Sequence, residues 1–348
     1  MTAEQAKKPT RTLRVKGKDG IFSRRRTSFG LTAILIVALF FGGQSALNLL
    51  AARTAGGWDK DPSGPVIGGN LGTAFDLSIL QDNGLYKAWF SWRPKDSIAY
   101  VESADGINWS APVIALGPTR SGWEDIVNRP SVIKTRSGFA MWYTGQTADH
   151  SAIGYATSAD GMHWARVAID PVLVPSLPWE KVAVMSPDVR YDQASGGYSM
   201  WYSGGEQYEP DAIGYASSVD GLHWTKFAQN PIFSASGGNN WDGYKVTAAD
   251  IEPYGPGGTG FVMFYIGFAD VNHAQIGVAF SPDGITHWVR SSVNPIIRPG
   301  YPFTWDSDAV YKPAVIHAAG RWLLWYNGRS GAREQIGRAL HEGDTLSP

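Results

Sequence analysis

The stretch "IGYATSADGMHW" at residues 153–164 returns as "IGYASSVDGLHW" at 213–224, with weaker copies "IAYVESADGINW" at 98–109 and "IGVAFSPDGITHW" at 276–288. Self-similarity at about sixty residues marks a repeat architecture in which each unit buries its face against the next. The third unit shows what one repeat contains. Its apolar stretches are "KVAVMSPDVRY" (181–191), "GYSMWYSGG" (197–205), "AIGYASS" (212–218) and "NPIFSA" (230–235), separated by turn-forming segments. Four short strands per repeat predict a four-stranded antiparallel sheet, the blade of a β-propeller.

Second strands at 85–92, 139–145, 198–204, 261–267 and 322–328 give five blades. The last runs out of chain after "QIGRAL" (335–340), before an outer strand. "GWDKDPSGPVIGG" (57–69) aligns with "HWTKFAQNPIFSA" (223–235), Trp58 on Trp224 and Pro65 on Pro231. The N-terminal strand is therefore expected to complete the fifth blade and remove an open sheet edge. The repeated S-x-D-G-x-x-W joins third to fourth strands; its Asp-Gly forms the turn and its Trp packs between blades. Asp105, Asp160, Asp220 and Asp283, with His163, His223 and His287 beside them, are read as structural.

Residues 1–28 hold nine Lys or Arg against Glu4 and Asp19, while the rest of the chain holds 21 basic and 29 acidic residues. A basic tail alone suits a nucleic-acid arm, but the uncharged apolar run at 29–52 follows it. Roughly 20 such residues span a bilayer as a helix, and Arg24–Arg26 before them favour a cytoplasmic N-terminus. The expected organisation is a basic tail (1–28), a transmembrane or signal-anchor segment (29–52) and an exported propeller domain (53–348). The alternative is a long signal peptide cut near Ala51, Ala52 or Ala55 and a secreted domain. The absence of cysteine suits an exported domain, and nucleic acid is not an expected partner.

Inner strands of a propeller begin at one mouth of a central channel. Aligning "AFDLSIL", "NRPSVI", "SPDVRY", "AADIEPY" and "YKPAVIH" places Asp76, Ser131, Asp188, Asp250 and Ala314 at one position, with basic Arg129 and Lys312 ahead of prolines. Three carboxylates in one pocket push their pKa values apart, the division that glycosidic cleavage requires. The competing reading is an Asp that only caps backbone N–H groups. Loops after the second strands contribute Trp92 and Arg93, Gln146, Glu206, His273 and Arg329. Trp92 offers a face for a sugar ring, and Glu206 is a second candidate acid. His150 and His273 lack metal-ligand spacing, so neither metal nor cofactor is expected.

These features resemble the five-bladed propeller glycosidases: the arabinanase/xylosidase group of glycoside hydrolase family 43, the fructan-cleaving families 32 and 68, and the mannoside phosphorylases and mannosidases of family 130. The resemblance covers residues 58–340. It implies Asp76 as base, Asp188 as acid and an inverting course; beside it, the loop and strand reading keeps Glu206 as the other candidate acid and Asp250 as pKa modulator or sugar-hydroxyl ligand. Trp92, Arg93, Arg129, Gln146, His273, Lys312 and Arg329 are then the substrate-binding set. The second-blade Asp of the arabinanase pattern is missing, since "NRPSV" stands there, and so is the sucrose-family "WMNDPNG". The expectation is an exported or membrane-anchored glycoside hydrolase acting on a cell-surface or secreted polysaccharide. A non-catalytic glycan-binding propeller, or a phosphorylase or glycosyl transferase using Arg129 and Lys312, are the alternatives.

Overall fold

Alternating apolar and polar residues between Gly- and Asp-rich turns give short antiparallel strands throughout the computed structural model, which describes residues 54–348. The expected basic tail and transmembrane or signal-anchor segment lie outside the described residues. Among the described residues, helix is confined to three-residue 3-10 turns, and no helix is long and apolar enough to cross a membrane.

The first blade pairs Ala74–Asp82, Leu85–Trp92, Ser97–Ser103 and Val113–Leu116 in sequence order. The second and third follow the same up-and-down order from inner strands Ile126–Thr135 and Ala183–Asp192; the fourth starts at Lys245–Tyr254. The fifth combines Ala309–Ala318, Arg321–Ser330 and Arg333–Glu342 with the N-terminal strand Trp58–Lys60, where Trp58 faces His341. The fold is all-β and propeller-like.

Apolar packing runs between blades. Leu77, Ala88 and Phe90 of the first blade pack on Ala314, Leu323 and Trp325 of the fifth. The same happens between first and second (Trp89 with Met141), second and third (Trp142 with Met200), third and fourth (Trp201 with Met263) and fourth and fifth (Phe264 with Trp322). Each fully buried aromatic contributes about 1.5–3 kcal/mol.

The opening repeat holds this packing in place. Asp160 Oδ1 accepts N–H bonds from Met162 and His163 at 2.8 and 2.9 Å, and Asp220 does the same with Leu222 and His223. The turn then presents a glycine carbonyl to the preceding blade. Trp89 Nε1 donates to Gly161, Trp142 to Gly221, Trp201 to Gly284 and Trp325 to Gly106, all within 3.0 Å. The motif tryptophans pack between blades: Trp164 meets Trp89 edge-on at 6.1 Å, and Trp224 meets Trp142 likewise.

A second repeated device explains the Trp-acid pairs. Glu124, Glu180, Asp242 and Asp306 are buried, and each accepts the hydroxyl of Tyr143, Tyr202, Tyr265 or Tyr326. Each also pairs with a base on the outer strand: Arg166, Lys226, Arg290 and Lys60. Lys60 stands on the N-terminal strand and takes in the fifth blade the part Lys226 plays in the third. Trp123, beside Glu124, lies flat on Gly145 and Gly154, where an added Cβ would meet its ring at 2.1 and 2.5 Å.

Candidate active site

Each inner strand carries a bulge near its start. The bulged residues are Asp76, Arg129, Ser186, Ala248 and Lys312, all at positive φ between 24° and 53°. This register corrects the sequence alignment by two residues: the equivalents of Asp188 and Asp250 are Ser78, Ser131 and Ala314, and Asp76 belongs with Arg129 and Lys312. The consequence is spatial. The structure does not bring Asp76, Asp188 and Asp250 together.

Residues at the two positions serve different ends of the inner strands. Asp76, Asn128, Arg129 and Ser186 line one cavity of about 320 Å³. Farther along the same strands, Ser131, Asp188, Asp250 and Glu252 line a second of about 340 Å³, which the bulged Lys312 also lines. In the second set, side-chain oxygens tie neighbouring blades: Ser78 accepts Val132 N–H, Ser131 Val189, Asp188 Ile251 and Asp250 Val315, at 2.9–3.2 Å. Burial raises the carboxyls of Asp188 and Asp250, against the pull of Lys312 and Arg190. Lys312 is buried, with Nζ donating to the Ala249 carbonyl at 2.9 Å. Backbone capping between blades, the competing reading of these Asp residues, is what their contacts show.

The first cavity has the wider range of chemistry. Asp76 Oδ2 meets Arg129 Nε at 3.0 Å and Asp76 Oδ1 accepts from Asn327 Nδ2 at 2.8 Å. The Asn327 Oδ1 atom receives the Asp76 N–H at 2.9 Å and so fixes the strained bulge. Arg129 also donates to Asn128 Oδ1, and Asn128 Nδ2 to Gln146 Oε1. Trp92 lines the rim with Nε1 bonded to the Leu71 carbonyl at 2.7 Å. Arg93 lies over Phe75, its guanidinium carbon 4.6 Å from the ring centroid. Of the expected residues, this cavity gathers Asp76, Trp92, Arg93, Arg129, Gln146 and Arg329.

It leaves out Glu206 and His273 as well as Lys312. Glu206 is exposed and held by Lys245 at 2.7 Å and Lys181 at 3.4 Å, and Lys245 pulls its carboxyl below the usual range. His273 pairs with Asp270 at 2.7 Å and lines a third, shallow cavity shared with Arg329. Two acids that the loop segments contain but the sequence reading passed over take their place. Glu334, at the start of the strand Arg333–Glu342, is pushed up to about 7, first by burial and then by Asp76. Glu209, at the mouth, keeps solvent access; crowding by the surrounding chain is the largest effect raising it, with Asp76 adding to it against Arg129. The legible signal was the pair of loops "SGGEQYEPD" and "NGRSGARE", each rich in charge. Among the described residues, no three His, Cys, Asp or Glu are arranged to hold a metal ion.

Comparisons with known proteins bear on this geometry. Residues 77–252 match the family model described as glycosyl hydrolases family 32 N-terminal domain. Over 243 residues the chain is 27% identical to the uncharacterized protein Rv1502 of Mycobacterium tuberculosis, covering 66% of this chain and 76% of that one. A solved structure from the family 130 of mannoside phosphorylases, which contains glycoside hydrolases targeting β-1,2-mannosidic linkages in Candida mannan, is similar with a TM-score of 0.66. It is 18% identical and the match covers 84% of this chain and 96% of that chain. A thermostable family-43 glycoside hydrolase is similar with a TM-score of 0.64 at 15% identity, covering 83% and 98% of the two chains. At these identities the structural likeness is one of fold.

Proposed function

This chain belongs to the glycosyl hydrolase family 32 N-terminal domain family, and from that premise we propose that it hydrolyses glycosidic bonds with Asp76 as base and Glu334 as proton donor. One observation carries the reading: a salt-bridged carboxylate and a carboxyl raised to about 7 line the same cavity. Near neutral pH Glu334 holds a proton for the leaving oxygen as the glycosidic C–O bond breaks. Water adds its oxygen to the anomeric carbon, and Asp76 takes the water's proton. Arg129 and Asn327 each occupy one Asp76 oxygen, and a carboxylate oxygen has capacity for a further bond. Trp92 and Tyr208 at the rim offer aromatic faces for sugar rings.

The basic run followed by an uncharged apolar stretch supports a domain working outside the cytoplasm, on a cell-surface or secreted polysaccharide. Protease added to intact cells is expected to degrade it; full protection sinks that part. For the chemistry, reducing-sugar release is measured on arabinans, xylans, mannans and bacterial exopolysaccharides, with and without phosphate. Release that disappears in Asp76→Asn and in Glu334→Gln supports the pair. Release that survives both excludes it, and saturable binding without release makes the propeller a recognition module. A requirement for phosphate assigns a phosphorylase.

A further inference from the structure

We propose that this cavity recognises its glycan through a sugar carboxylate, with Arg93 and Arg329 as counter-ions and Gln146 as a further donor; the proposal rests on the glycan-cleaving reading of the same site. The three arginines of the cavity are not equivalent. Arg129 is committed, with Nε on Asp76 and a terminal nitrogen on Asn128, both at 3.0 Å. Arg93 is 58% exposed, and its nearest carboxylate contact is Glu334 at 3.7 Å, beyond hydrogen-bond distance. Because the Glu334 carboxyl titrates only at about 7, it leaves Arg93 without a full counter-charge in mildly acidic to neutral solution.

One terminal nitrogen of Arg329 donates to the Asn272 carbonyl at 3.1 Å and its guanidinium lies beside Tyr311, while its Nε is buried with no hydrogen-bond partner. Gln146 repeats the situation. Its Oε1 accepts from Asn128 Nδ2 at 2.9 Å, which orients the amide, and its buried Nε2 has no partner. Thr247 Oγ1, in the same cavity, is a third buried polar atom without one. Buried polar atoms left unpaired are rare in folded proteins, and Arg329, Gln146 and Thr247 all line this one cavity. Guanidinium groups match a planar carboxylate in two-pronged hydrogen bonds. Asp76, Asp96, Glu209 and Glu334 line the cavity too, so a monoanionic sugar acid meets less repulsion than a phosphate approaching two charges.

Calorimetric titration of the full-length protein tests this with glucuronate, galacturonate and mannuronate, each against its neutral hexose, and with inorganic phosphate. At least one acid is expected to bind about tenfold or more tightly than its hexose. Arg93→Gln removes most of that preference and Arg93→Lys restores part of it. Arg93 lies at the rim, so its variants are expected to melt with the wild type; Arg329→Gln provides the second, more buried test. Cleavage of an acidic exopolysaccharide is then compared before and after its carboxyls are reduced to alcohols. Neutral glycans cleaved while no sugar acid outbinds its hexose overturn the proposal and leave the glycosidase standing. Phosphate binding tighter than every acid also overturns it. Acid binding dependent on Arg93, with no glycan cleaved, upholds it and removes the hydrolytic reading instead.

Discussion

Glu334 carries the sharpest expectations because burial and Asp76 both act to keep its proton on. As the donor, it makes kcat/KM fall as pH rises through about 7, and Glu334→Gln lowers kcat/KM roughly 10²–10⁴-fold and abolishes that limb. A pH–rate profile of both proteins checks this; an unchanged basic limb in the variant excludes Glu334. The same group sets a stability trend. A carboxyl raised on folding binds more protons in the native than in the unfolded state between the two pKa values, here about 4.5 and about 7. Stability therefore declines as pH rises through that window. Glu334→Gln removes the decline and gains on the order of 2 kcal/mol over wild type at pH 8, measured by urea melts at pH 5 and 8. At this scale the sequence pointed to the loops that line the cavity but to Glu206 rather than to Glu334 and Glu209, which the cavity holds. Glu206 stands three residues before Glu209, but Lys245, on the next blade, and Lys181 capture it, and pairing between distant segments leaves no mark on local sequence.

The strand is the scale at which the register slipped. The first blade has Leu77 where three others have Pro130, Pro187 and Pro313, so matching carboxylate to carboxylate displaced Asp76 by two positions. The bulge that separates the two rows is a backbone event, and the types that occupy it, Asp, Arg, Ser, Ala and Lys, share nothing but position. By contrast the closing strand was legible, because Trp58 and Lys60 repeat the spacing of Trp224 and Lys226. Its test is Lys60→Met, which leaves Asp306 buried with the Tyr326 hydroxyl but without its cation at 2.6 Å. Breaking a buried pair from one side costs about 3–5 kcal/mol. Arg120→Ala, which breaks the exposed pair with Asp96 at 3.0 Å, is expected to cost about 0–1 kcal/mol. Equal losses in the two variants would remove the case for the outer-strand base as part of the core of these four blades.

Across the whole molecule the inner strands divide their labour lengthwise: their opening residues face the cavity that holds Asp76 and Glu334, and residues farther along face one of interlocked charges. Stability and activity should therefore separate between the two cavities. Asp250 is raised well above the usual carboxylate range by burial and then by Asp188, and it accepts the Val315 N–H at 3.2 Å through one oxygen. An asparagine keeps that acceptor and the shape while removing the ionisable group. With its folded pKa above the unfolded one, Asp250 makes the wild type lose stability as pH rises above about 3.8 toward the folded value. Asp250→Asn is thus expected to melt with the wild type in acid and above it at pH 8, with kcat within about twofold. Asp76→Asn, in the other cavity, loses roughly 10²–10⁴-fold in kcat and, by leaving Arg129 without its buried counter-charge, melts below the wild type. Melting curves at pH 5 and 8 beside initial rates distinguish the two. An Asp250→Asn protein that melts normally yet has lost its activity would move the chemistry to the second cavity. The catalytic acids would then be among Asp188 and its neighbours, at the far end of the strands from Asp76.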